Sequence, residues 1–212
     1  MKTTFVRILG FVGLPATALP LAFATLPPAA AAPCPDVEIV FARGTTEPPG
    51  VGGIGQVFVD SLRSQLGGRS VGVYAVNYPA TRQFRTSTPA GRDDLSAHVQ
   101  SMAASCPDTR MVLGGYSQGA AVVDLATGVM PPAVADHVAA AALFGGPRSS
   151  FADSFSSGPL PAVGPLYAAK TIDLCVPNDP ICFEGGRDWG AHSAYVQSGM
   201  VDQAASYAAG RL

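Results

Sequence analysis

The chain has 212 residues, 48% of them hydrophobic, and its 13 basic and 15 acidic residues leave a formal net charge of −2. Nothing in that balance resembles the electrostatic footprint of a nucleic-acid binder, so that class is excluded. The length suits one domain able to bury its own core without an obligate protein partner, and a monomer is expected.

At the amino terminus Lys2 and Arg7 precede an apolar stretch, Ile8 to Leu26, and a run of alanines, Ala29 to Ala32; the next charge is Asp36. That order reads as a secretory signal peptide over residues 1–32, removed near Ala31 or Ala32, because Pro20, Pro27 and Pro28 interrupt what could otherwise be a membrane anchor. The remaining domain, 33–212, holds 11 basic against 15 acidic residues, a net −4. A secreted location, extracellular or associated with the cell envelope, is expected.

From Val37 onward short β-rich runs alternate with amphipathic stretches, the α/β pattern. Strands are expected at Val37–Phe41, Val71–Val76, Arg110–Gly114, Val138–Phe144 and Thr171–Leu174, and helices at Gln56–Leu66, Arg92–Ala104, Gln118–Thr127 and about Ser193–Arg211. Runs such as Ile39, Val40, Phe41, apolar without alternation, fit parallel strands covered on both faces. The expected fold is a small three-layer α/β sandwich around a five-stranded parallel sheet. The irregular stretches Pro79–Pro89 and Pro147–Pro165 are expected as loops at the sheet's carboxyl edge, where open α/β sheets bind ligands.

The segment Arg43-Gly44-Thr45-Thr46-Glu47 follows the first strand and is placed to offer a backbone N–H, that of Thr45, to a ligand at that edge. Gly50, Gly52 and Gly55 then spell G-x-G-x-x-G, a dinucleotide fingerprint in outline. That fingerprint belongs directly after a strand, whereas Pro48 and Pro49 intervene here and the second strand ends at Asn77 with no ribose-binding acid. Nucleotide binding is therefore rejected.

Gly115-Tyr116-Ser117-Gln118-Gly119 is G-x-S-x-G between the apolar run Met111, Val112, Leu113 and the helix-like run from Ala120. In that setting the motif is a nucleophile elbow, which exposes a serine hydroxyl on a sharp strand-to-helix turn. Ser117 is the candidate nucleophile and the Gln118 N–H a candidate oxyanion donor. A serine hydroxyl needs a histidine base oriented by a carboxylate. His98 falls inside a helix and His137 at the amino end of a strand, which leaves His192, after the last strand. Among the acids between elbow and His192, Asp179 is selected because it sits between Cys175 and Cys182 beside Pro180, a rigid mount. Asp188 is read as a local loop acid, and Asp173 is expected outside the site.

Four cysteines in an exported domain favour disulfides over a metal site. Three pairings are possible; the short separation of Cys175 and Cys182 assigns them to each other and leaves Cys34 with Cys106. No metal and no organic cofactor is expected.

With Ala42–Glu47 after the first strand, the elbow at 115–119, Cys175-Val176-Pro177-Asn178-Asp179-Pro180-Ile181-Cys182 and His192 ten residues beyond, the chain resembles the cutinase-family serine esterases, in particular the cutinase-like proteins secreted by mycobacteria. The resemblance covers the whole of 33–212. It implies a cutinase-like α/β-hydrolase without a lid domain, Ser117, Asp179 and His192 as a triad, Thr45 and Gln118 as the oxyanion hole, and the same two disulfides. Thr45 stands where fungal relatives carry serine. Between Cys182 and His192, where those relatives are mostly aliphatic, this chain has Phe183, Glu184, Arg187, Asp188 and Trp189; charge beside the acyl groove predicts short to medium acyl chains. Phe84, Phe183 and Trp189 are candidate substrate contacts. The substrate class implied is an ester or lipid. Alternative readings are a deacetylase of the acetylxylan esterase type, a lipase or phospholipase, and a non-catalytic, lipid-binding envelope protein.

Overall fold

Five parallel strands, β1 (Val37–Ala42), β2 (Val71–Ala75), β3 (Arg110–Tyr116), β4 (Val138–Phe144) and β5 (Thr171–Leu174), form one sheet in the order β2-β1-β3-β4-β5. The computed structural model describes residues 1–4 and 33–212, so the expected signal peptide lies almost wholly outside the described residues. The chain divides into Met1–Ala32 and Pro33–Leu212, and the sheet belongs to the second body.

Each strand had been expected at these positions to within two residues. Strand residues alternate between faces, so β1 sends Val37, Ile39 and Phe41 to one core and Val40 and Ala42 to the other. The first core is closed by α1 (Gly52–Gln65) and α8 (Met200–Ala209), through Phe58, Leu62, Val201 and Ala204. The second is closed by α2 (Phe84–Ser105) and α3 (Gln118–Val129), through Leu95, Val99 and Val122. The result is the expected three-layer sandwich. Crossovers run one way from β1 to β2 and the other way from β3 to β4, so the carboxyl ends of β1 and β3 flank the point where the strand order reverses, and a crevice opens there.

The helices depart from expectation in several places. α1 begins at Gly52 rather than Gln56, and Gly55 lets it settle on β1: a Cβ there would lie 2.7 Å from the Phe41 ring. The glycines of the rejected fingerprint are therefore packing and turn residues. α2 begins at Phe84, within the segment expected as loop, and carries Pro89 inside it. Its first turns are held at buried Ser87, whose hydroxyl donates to Gln118 Oε1 at 3.0 Å and accepts from the Thr81 N–H at 3.1 Å. The stretch Pro147–Pro165 contains α5 (Ser150–Ser156), whose Ser149 hydroxyl caps the Ala152 N–H at 3.1 Å. Two single turns were not anticipated, α4 (Pro132–Ala135) and α6 (Pro165–Ala168), each opened by a proline. Finally, the long helix expected at Ser193–Arg211 is two helices, α7 (Trp189–Ser193) and α8, separated where Gly199 takes φ 75°, a left-handed conformation that glycine reaches without penalty.

Cys34 is bonded to Cys106, just beyond α2, and Cys175 to Cys182.

Candidate active site

The sharp turn from β3 into α3 places Ser117 at φ 53°, ψ −115°, outside the regions a non-glycine residue ordinarily occupies. The geometry explains the flanking glycines. A Cβ on Gly115 would lie 2.3 Å from the Gly119 carbonyl oxygen, and one on Gly119 only 1.9 Å from that of Ala42. The turn is held because the Ser117 N–H donates to the Phe144 carbonyl at 2.8 Å and the Ala120 N–H donates back to Ser117 O at 3.0 Å. Gln118 opens α3, and the first N–H groups of a helix have no partner within it, so the Gln118 N–H is available beside the serine.

Three residues from three elements meet at this edge. Ser117 Oγ lies 3.0 Å from His192 Nε2, and His192 Nδ1 lies 2.8 and 2.9 Å from the two carboxylate oxygens of Asp179. The Cys175–Cys182 bond closes the Asp179 loop, and the Asn178 carbonyl accepts from the Asp188 N–H at 3.0 Å. Asp179 is fully buried and also accepts from the Tyr195 hydroxyl at 2.6 Å and the Ile181 N–H at 2.8 Å. Burial pushes its carboxyl up, but the donors His192, Tyr195 and Ile181 together outweigh burial and leave it below the usual carboxylate range. With Asp179 ionised, Nδ1 keeps its proton and Nε2 is left to accept one from the serine. The Tyr116 hydroxyl donates to the His192 carbonyl at 2.7 Å, fixing the ring from its backbone side.

Thr45 lines the cleft beside Ser117. Its loop is braced from within: the Glu47 carboxylate accepts from the Gly44 and Gly53 N–H groups at 2.5 and 2.8 Å, and buried Arg43 donates to the carbonyls of Glu47, Val76 and Tyr78. The cleft has a volume of about 650 Å³ and an apolar wall formed by Phe84, Phe151, Phe155, Ile181 and Trp189. Its aromatics touch in sequence, Phe84 on Phe155, Phe155 on Phe151, Phe151 on Trp189, and Trp189 stands 6.0 Å from the His192 ring.

Phe84 and Trp189 thus line the cleft, whereas Phe183 is half-exposed and lines neither it nor the adjoining groove. The charged loop expected beside the acyl groove also sits elsewhere. Glu184 and Arg187 line an adjoining groove of about 630 Å³, Glu184 bonding Ser150, and Asp188 caps α7 through the Gly190 N–H at 2.8 Å. Asp173 is exposed on β5 and pairs with Arg148 at 3.0 Å; His98 pairs with Glu38 at 3.0 Å and stacks on Tyr74. Sequence reasoning missed Tyr195, although it lies three residues after His192, the spacing that brings two side chains together on a helical turn. It also missed Phe151 and Phe155, hidden in a segment whose serines and glycines read as loop.

Sheet order, elbow and edge cleft define an α/β-hydrolase-like fold, with no separate lid domain over the cleft among the described residues. The cutinase family model matches residues 33–212, and the chain belongs to the cutinase family. It is 59% identical over 210 residues to the carboxylesterase Culp1 of Mycobacterium tuberculosis, covering 99% of this chain and 96% of that one. It is 49% identical over 197 residues to the phospholipase Culp4 of the same organism, covering 88% and 83%. Among solved structures, Trichoderma reesei cutinase bound to a phosphonate inhibitor superposes with a TM-score of 0.67 at 36% identity, covering 83% of this chain and 76% of that one. The catalytic core of acetyl xylan esterase from Trichoderma reesei superposes with a TM-score of 0.72 at 26% identity, covering 85% and 100%.

Proposed function

We propose that this ester hydrolase of the cutinase family cleaves short to medium chain acyl esters by a covalent acyl-enzyme route. Ser117 Oγ attacks the ester carbonyl while His192 Nε2 takes its proton, and the developing oxyanion is held by the N–H groups of Gln118 and Thr45. His192 then gives that proton to the leaving alcohol. Water, activated in turn by His192, releases the acid and restores Ser117. Asp179 holds the imidazole in the required tautomer and stabilises it when charged. The single observation that carries this reading is the continuous hydrogen-bonded chain from Ser117 through His192 to Asp179, opening on the cleft.

Acyl length is bounded because the apolar wall is limited to Phe84, Phe151, Phe155, Ile181 and Trp189; methylenes beyond what these side chains cover gain little burial, each buried one being worth about 0.8 kcal/mol. The same wall favours an acyl chain longer than acetate over the deacetylase alternative. Two disulfides and the composition of residues 1–32 support action outside the reducing cytoplasm. Hydrolysis of aryl esters from acetate to palmitate, with Ser117→Ala alongside, tests the reading. Turnover by wild type alone, with an optimum below the long chains, supports it; an optimum at palmitate contradicts the length assignment. Equal turnover by both proteins contradicts the role of Ser117, and none by either contradicts the mechanism and returns the lipid-binding alternative.

A further inference from the structure

Arg82 is the one permanently charged side chain among the residues lining the cleft. It is exposed, and none of the ion pairs among the described residues involves it. In a body of net charge −4, Arg82 therefore brings an unpaired guanidinium to a largely aromatic cleft, with Arg85, also exposed and in none of those ion pairs, three residues further on.

The backbone that carries Arg82 is tied to the elbow. The Gln118 side chain, fully buried, donates from Nε2 to the Thr81 carbonyl at 2.8 Å and accepts at Oε1 from the Ser87 hydroxyl at 3.0 Å. The Thr81 N–H donates to that same hydroxyl at 3.1 Å, and the Thr46 N–H donates to the Ala80 carbonyl at 2.7 Å. The residue that follows the nucleophile thus fixes, through its own side chain, the peptide preceding Arg82. Phe84, two residues on, begins the aromatic wall. A substrate with an apolar chain and an anionic group would find a partner for each in one cleft: the chain against the aromatics, the anion on a fork of N–H donors that suits phosphate and carboxylate.

We propose that the cleft selects acyl esters carrying an anionic group, phosphate or carboxylate, and that Arg82 binds that group. The inference rests on the esterase reading and deepens it by naming a substrate class.

The test uses three soluble esters with one hexanoyl chain: hexanoyl glycerol phosphate, hexanoyloxyacetate and the uncharged hexanoyl glycerol. Their hydrolysis is followed by acid release at low ionic strength. Wild type is expected to prefer the anionic esters by KM. In Arg82→Ala the ratio of anionic to neutral kcat/KM falls about fivefold, the size of one exposed charge-assisted pair. Arg82→Lys recovers part of the ratio, Arg82→Glu drops it below that of Arg82→Ala, and about 0.5 M salt erases the wild-type preference by screening. Arg211→Ala, which removes a cation outside the cleft lining, keeps it. Preference for only one of the two anionic esters identifies phosphate or carboxylate as the group recognised. A ratio unchanged in Arg82→Ala and Arg82→Glu, with neutral ester turned over normally, overturns this inference and leaves the esterase reading intact. No turnover of any ester by wild type overturns both.

Discussion

At the scale of single residues, the site turns on how Asp179 stays ionised in a fully buried position. Three donors achieve this, and the Tyr195 hydroxyl at 2.6 Å is the shortest. Tyr195→Phe is expected to lower kcat about tenfold and to move the acid limb of the rate profile upward, because the carboxylate loses a stabilising donor. A fall in melting temperature with an unmoved limb would reduce Tyr195 to a packing role. Asp179→Asn should cost about 10³ to 10⁴ in kcat with little change in substrate KM, measured on one aryl ester, since the imidazole loses its orienting partner. The depressed Asp179 pKa also sets a sign for stability: its contribution is present above the ordinary value of 3.8 and is lost as pH falls through the lower folded value.

At the scale of elements, the elbow ties chemistry to packing. Gly119→Ala places a methyl against the Ala42 carbonyl, with backbone on both sides, and neither strand nor helix can yield separately. It should lower unfolding free energy in urea by about 3 kcal/mol or more, at the upper end for overpacking; a folded, active Gly119→Ala would contradict the close approach. The elbow was legible in sequence because its glycines answer to backbone contacts that any such turn imposes. The strands were legible because apolar runs such as Val138–Phe144 have little alternative but a doubly covered sheet. The wall of the cleft was not. α5 is written in serines and one Ser149 cap, with Phe151 and Phe155 pointing to no core, and periodicity has nothing to read when the apolar face packs only on neighbouring rim aromatics. The break between α7 and α8 was missed for the opposite reason, a helical pattern that runs on through Gly199 while the backbone does not.

At the scale of the whole molecule, two long-range ties join the layers. The Cys34–Cys106 bond closes a loop of sequence separation 72, which by chain entropy is worth about 4 kcal/mol; loss of the bond in a Cys34→Ser, Cys106→Ser pair should show in urea unfolding at that scale. The other tie is Asp124 of α3, fully buried, with Arg148 at 2.9 Å as its ion-pair partner and Asp173 sharing that guanidinium. Burial pushes the Asp124 pKa up to about 6, only partly offset by Arg148. A raised carboxyl pKa favours the folded state below 3.8 and loses that contribution as pH rises through about 6. The stability of wild type relative to Asp124→Asn should therefore fall by about 2 kcal/mol between pH 4 and pH 8; a pH-independent difference would contradict it. Composition and spacing disclosed the domain, the bridges and the three residues that meet at the sheet edge. They could not disclose Asp124 with Arg148, because such a pair depends on where the segment after β4 meets a buried turn of α3. The central claim, that those three residues make Ser117 a nucleophile, is tested most directly by stoichiometric reaction with an aryl phosphonate followed by mass spectrometry of the peptides. The account predicts one phosphonyl group per chain on Ser117, none in Ser117→Ala, and slow labelling in His192→Ala. Modification at another residue, or a folded wild-type protein that does not react, would contradict it.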